Sequence, residues 1–220
     1  MATDASDRSR SNQGRTSSNT NASGRKQGSR AEVGREGGIF GGATGAMIGA
    51  AAAGVAVGLM ANLGRKTAVQ APTFLAGEWD EALAAEHAAT LKLFDALQAT
   101  TEKNTTKRSM LLMQLKHALA KHALQEENAI YPALRDAGQT EQADHLNHDH
   151  GYVKQFLYDL ENMPKESPAF LTKVAEFRAA IEEHAGEEEN TIFPALKAKL
   201  SPEKNKALTA LMNKEGFKLA

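Results

Sequence analysis

Cysteine is absent from the 220 residues, so neither a disulfide framework nor a thiolate metal site can be built. An excess of one charge is missing too. Lys and Arg total 26 against 27 Asp and Glu, and a net charge of −1 excludes the globally basic surface of an ordinary nucleic-acid binder. With 5% aromatic and 41% hydrophobic residues, the chain has material for one ordinary core plus accessory segments rather than two large domains. Strand-like alternation is also lacking. What is present is unevenly placed: all seven histidines fall between His87 and His184.

Residues 1–36 consist of Ser, Asn, Gly, Thr and Arg with almost no large apolar side chain, which predicts a disordered, mildly basic tail. A secretory signal would place its apolar core near the start, so no cleavable signal peptide is expected, and the chain is read as cytoplasmic or membrane-associated. Residues 37–64 form a Gly/Ala-rich apolar segment without a charge, bounded by Arg35 and Glu36 and by Arg65 and Lys66. Its length suits a membrane helix or hairpin, and Gly37, Gly41, Gly45 and Gly49 repeat the small-residue spacing that lets helices self-associate. A flexible linker is the alternative. Residues 65–75 read as a linker, 76–200 as the functional domain, and 201–220 as a C-terminal helix and tail, with Ser201-Pro202-Glu203 as its start signal.

From about Pro72 the periodicity turns helical, with stretches near 77–100, 106–131, 139–163 and 168–193 separated by turn signals. Short connections between helices of this length imply antiparallel neighbours. The expected architecture is all-α, an up-down-up-down four-helix bundle preceded by the disordered tail and the Gly/Ala-rich segment.

The chain then repeats itself. His122 to Leu134 (HALQEENAIYPAL) recurs as His184 to Leu196 (HAGEEENTIFPAL), identical at nine of thirteen positions, and Glu86-His87 matches Asp149-His150. Leu83, His87, Leu91, Phe94 and Leu97 share one stripe of the first helix. Leu115, Leu119, His122, Glu126 and Ile130 do so on the second, Leu146, His150, Val153 and Leu157 on the third, and Phe177, Ile181, His184, Glu188 and Ile192 on the fourth. Four His and two Glu therefore occupy core positions. A lone His there is usually an ordinary core residue, but two carboxylates with no Lys or Arg on the stripes would cost on the order of several kcal/mol each to bury. Cations would supply the missing charge. Imidazole with carboxylate suits iron, zinc or manganese, and two Glu from opposed helices can bridge a metal pair.

At these residues the sequence resembles the hemerythrin-like, HHE cation-binding family, whose pattern is a His on the first helix, His-x-x-x-Glu with an aromatic-Pro pair on the second, a His on the third, and a His with a downstream carboxylate on the fourth. The resemblance covers about residues 76–200. It implies a non-haem centre of two iron ions, in preference to zinc or manganese, with His87, His122, Glu126, His150, His184 and Glu188 as ligands and both Glu residues bridging. It also implies binding or sensing of a small ligand, namely dioxygen, peroxide or nitric oxide. The oxygen carriers of that family have a fifth His where this chain has Leu146, which leaves a more open coordination sphere and makes a peroxide-degrading activity compatible with the site. Iron storage or homeostasis, or a membrane-associated stress scaffold with a structural metal site, is the alternative function. Partners other than the small ligand are limited to a membrane or a second copy through residues 37–64; no nucleic acid is expected.

The remaining polar residues read plainly. Pro132 and Pro194 are expected to end or kink their helices. Glu127 and Glu189 are read as exposed acids, with hydrogen bonding to ligand histidines as the alternative. His117, His145 and His148 lie off the stripe; a shifted register using Asp144 and His148 is disfavoured by the apolar pattern.

Overall fold

The computed structural model describes residues 43–220, and among these every regular element is helical. The tail at 1–36 and the first six residues of the Gly/Ala-rich segment lie outside the described residues. The elements are α1 (Ala43–Leu75), α2 (Trp79–Gln98), α3 (Thr105–Gln125), α4 (Tyr131–Asp136), α5 (Thr140–Asn162), α6 (Ala169–Glu187), α7 (Phe193–Lys199) and α8 (Pro202–Leu219). Two five-residue wide π turns join α3 to α4 (Glu126–Ile130) and α6 to α7 (Glu188–Ile192). Met47–Ala220 pack as one unit; of the other, Met1–Ala46, only the first turn of α1 is described.

The start and stop signals act locally. Glu78 and Glu81 form a reciprocal cap at the start of α2, and the Ser201 hydroxyl accepts the Lys204 N–H at the start of α8 as its sequence indicates. Gly138, at φ 76°, makes the left-handed turn into α5. Gly216 permits the closest approach of α8: a Cβ there would lie 2.8 Å from the side chains of Gln125 and Gln70.

Two expectations are corrected. The prolines do not end their helices. Each follows a π turn in which the N–H of Tyr131 or Phe193 reaches back five residues to the carbonyl of Glu126 or Glu188, so Pro132 and Pro194 fall in the first turn of α4 and α7, where a missing N–H costs little. Residues 65–75 are helix rather than linker, because they are tied down: Arg65 donates to the Ala220 carbonyl, Lys66 to those of Phe217 and Lys218, and Gln70 and Thr73 are buried. No helix among the described residues is long and apolar enough to cross a membrane.

Helix α2 packs on α3 and α6, α5 on α3, α4 and α6, and α8 across α2, α3 and the first π turn. Two apolar clusters result. One gathers Trp79, Leu83, Ile130, Leu134, Leu146, Phe193 and Met212; the other gathers Phe94, Leu97, Leu115, Leu157, Phe170, Phe177 and Ile181. Along each of the four long stripes the His, and where present the Glu, falls between a residue of the first cluster and one of the second. The interior is thus an apolar sandwich around a single polar layer.

Candidate metal centre

The polar layer contains all six residues that the stripes single out, and each is at most 6% exposed. His87, His122, Glu126 and Glu188 place donor atoms within 4.8 Å of one another, and Glu126, His150 and His184 do the same. Glu126 belongs to both groups: its Oε1 lies 3.2 Å from His122 Nε2 and its Oε2 3.2 Å from His150 Nε2. Glu188 Oε2 likewise stands between the groups, 3.3 Å from His87 Nε2 and 3.5 Å from His184 Nε2. Each carboxylate therefore stands between one histidine of each group, Glu126 between His122 and His150 and Glu188 between His87 and His184.

This layer is not satisfied by the protein alone. Glu126 Oε1, both oxygens of Glu188 and His184 Nε2 are buried without a hydrogen-bond partner. The ring nitrogens His87 Nε2 and His122 Nε2 face each other at 2.9 Å. The ion-pair partners of Glu126 and Glu188 among the described residues are histidines alone. Four imidazole nitrogens and two carboxylates converging with unspent lone pairs form a donor set that fits iron, zinc or manganese.

The outer nitrogens show why those lone pairs point inward. Nδ1 of His87 lies 2.8 Å from Glu189, that of His122 3.2 Å from Glu86, that of His150 3.0 Å from Glu127 and that of His184 3.4 Å from Asp149. A carboxylate at Nδ1 holds the proton there and leaves Nε2 as the donor, which is the usual support of a metal-binding imidazole. The four pairs obey the internal repeat, since Glu86 matches Asp149 and Glu127 matches Glu189. Glu127 and Glu189 are thus not merely exposed acids, which corrects their first reading. Glu86 and Asp149 were not singled out for this role; the signal available in the sequence was their place immediately before a stripe histidine in both halves.

The electrostatics of the layer follow from burial and from its own charges. Burial presses Glu188 well above the ordinary carboxylate range, and the facing Glu126 adds to it. Burial opposes the Glu126 charge as well, but His122 and His150 outweigh it and hold the group well below that range. For His122, burial is overcome by Glu126 and Glu86, which keep it protonated; His87 is driven down to about 3, first by burial and then by the His122 charge. Glu86 falls to about 2 because His122 and Lys121 prevail over its burial.

The two halves differ at their rims. Glu86 is enclosed by α1: Thr73 Oγ1 donates to it at 2.5 Å and Lys121 Nζ lies 2.8 Å away. Its counterpart Asp149 faces solvent beside His145 and Glu187 in a groove of about 230 Å³ that reaches His184. A second groove, about 330 Å³, runs between α3 and α5 from Lys116 and Lys154 down to His150. His117, His145 and His148 are exposed, and Asp144 pairs with Arg135 at the surface, so the shifted register is not adopted.

Tyr131 is the residue that the stripes missed. It is buried, with its hydroxyl 3.0 Å from His150 Nε2 and 3.4 Å from Glu126 Oε2. Burial, followed by the charges of Glu126 and Glu188, raises the phenol far above its usual range.

Comparison with known proteins agrees with this geometry. An uncharacterized hemerythrin-like protein of Schizosaccharomyces pombe is 32% identical over 91 residues, which cover 40% of this chain and 44% of that relative, so the chain spans less than half the length of the relative it matches. The family model described as the hemerythrin HHE cation binding domain matches residues 80–196, more than half of the chain. Its span takes in every residue of the polar layer and the carboxylates that hold it, and the chain belongs to the hemerythrin HHE cation-binding family.

Proposed function

We propose that α2, α3 with α4, α5, and α6 with α7 form an up-down-up-down bundle enclosing two iron ions, and that the protein binds or senses a small ligand such as dioxygen, peroxide or nitric oxide there. The observation that carries this is the pair of fully buried carboxylates, Glu126 and Glu188, whose ion-pair partners are histidines and three of whose four oxygens lack a hydrogen-bond donor. Two cations placed between them would convert a costly cluster into a neutralised one.

In this reading His87 and His122 hold one ion, His150 and His184 hold the other, and Glu126 and Glu188 span both. Bound iron would supply electron transfer and open coordination positions for the ligand. The chain's own part is to present Nε2 lone pairs, to keep each Nδ1 proton on its imidazole by accepting it in a hydrogen bond at Glu86, Glu127, Asp149 or Glu189, and to exclude bulk water with the two apolar clusters. Approach along the α3–α5 groove favours a small, weakly polar ligand, because its inner walls are Leu119, Ala123, Val153 and Leu157.

The test is metal analysis of the full chain after anaerobic loading with ferrous iron. Two iron ions per chain, with an absorption spectrum that changes on exposure to dioxygen or nitric oxide, is the expected result. Less than one ion per chain overturns the reading. Full loading with no spectral response to any of the three ligands overturns the ligand-binding part and leaves iron storage.

A further inference from the structure

We propose that Tyr131 is a seventh protein ligand, coordinating through its phenolate oxygen the ion held by His150 and His184. The inference rests on the di-iron reading above and extends it. In that reading each ion has two imidazoles and the two carboxylates Glu126 and Glu188. The Tyr131 hydroxyl stands beside the His150–His184 pair and has no counterpart beside the other. With His150 Nε2 and Glu126 Oε2 it makes a triangle of sides 3.0, 3.4 and 3.2 Å. Donors about 2.1 Å from a common ion at right angles are about 3.0 Å apart, so these three atoms can share one cation with little movement.

The backbone supplies a reason for that placement. On a straight α-helix Tyr131 would sit about 140° round from Glu126, and the residue inserted by the π turn removes about 100° of this, bringing it to the same face. Packing alone does not call for the hydroxyl. The matching position in the second half is Phe193, which fills the same apolar cluster and meets Trp79 edge-on at 5.2 Å with no oxygen. Leu146, one turn before His150, belongs to that cluster too and offers no donor. His150 Nδ1 is already engaged by Glu127, so Nε2, Glu126 Oε2 and the phenol oxygen share one free direction. On coordination the phenol O–H bond breaks as the oxygen–iron bond forms, and the proton leaves to solvent through the α3–α5 groove that ends at His150.

The experiment loads the full chain with ferrous iron, oxidises it to the ferric state and records visible absorption and resonance Raman spectra beside iron content. A phenolate-to-ferric charge-transfer band is expected, with ring modes that shift when the protein carries ring-deuterated tyrosine. Tyr131→Phe should retain two iron ions and lose the band entirely. The other two tyrosines, Tyr152 and Tyr158, are 52% and 66% exposed on α5 and serve as internal controls, since their replacement should leave the band in place. A fully loaded wild-type protein without tyrosine-derived modes, or a band that survives Tyr131→Phe, overturns the assignment while leaving the di-iron reading intact. Failure to take up iron at all overturns both. Should the variant not fold, the isotope shift in the wild-type protein decides.

Discussion

Glu189, on the second π turn, holds Nδ1 of His87 at 2.8 Å across the interior, although the two residues are 102 positions apart in the chain. The contact is partly open to water, with the Glu189 side chain 38% exposed, so the carboxylate can be removed without opening the core. Glu189→Ala is expected to keep its helical content and melting behaviour in metal-free form while losing about 10- to 100-fold in iron affinity. Competition with a chelator of known affinity measures this; unchanged affinity would show that His87 needs no carboxylate partner.

Glu188 is raised well above the ordinary carboxylate range by burial and by Glu126. A carboxyl raised on folding contributes stability below its unfolded value and loses it as pH climbs through the folded one. Metal-free Glu188→Gln should therefore match the wild type near about pH 4 and exceed its stability near about pH 8. The same variant should fail to hold two iron ions. Melts in chelator at both pH values check the sign, and a variant no more stable than wild type at the higher pH would contradict it.

Iron should stabilise the fold by mass action, by about 2.7 kcal/mol when free metal exceeds the dissociation constant about 100-fold. Calorimetry with and without chelator measures the shift. In His122→Ala or His184→Ala the increment should shrink or vanish. A melting temperature indifferent to metal in the wild type would argue against cations in the polar layer.

Lys121 is 6% exposed, bonds Gln70 and Thr73 of α1, and neutralises Glu86 behind His122. Lys121→Met should cost about 3 kcal/mol by leaving that carboxylate short of its cation. It should also loosen the end of α1, seen as faster protease cleavage within residues 65–75. Adding Glu86→Gln should recover much of the stability. Equal stability of the single variant and wild type would mean that His122 alone satisfies Glu86.

How far the sequence reaches can be judged residue by residue. Periodicity of 3.6 places His87, His122, Glu126, His150, His184 and Glu188 on inward stripes, and the structure buries all six in one layer. The repeat of HxxxEExxI(Y/F)P marks where the two halves correspond. Both signals are local, carried by a single helix at a time, which is why they survive without coordinates.

Tyr131 escaped because a uniform helical period carries it past the centre, and only the π turn, formed with the proline that follows it, returns it. The segment 65–75 looked like a linker because its anchors, Gln70 and Thr73, meet Lys121, Glu86 and Asn213 far along the chain. By itself the sequence determined the helical class and the six donors, since alternation along one helix depends on neighbours within a turn. Tertiary structure alone decided which carboxylate steadies which imidazole, which half is open to solvent and where the phenol points, because those are pairings through space between elements that periodicity treats separately.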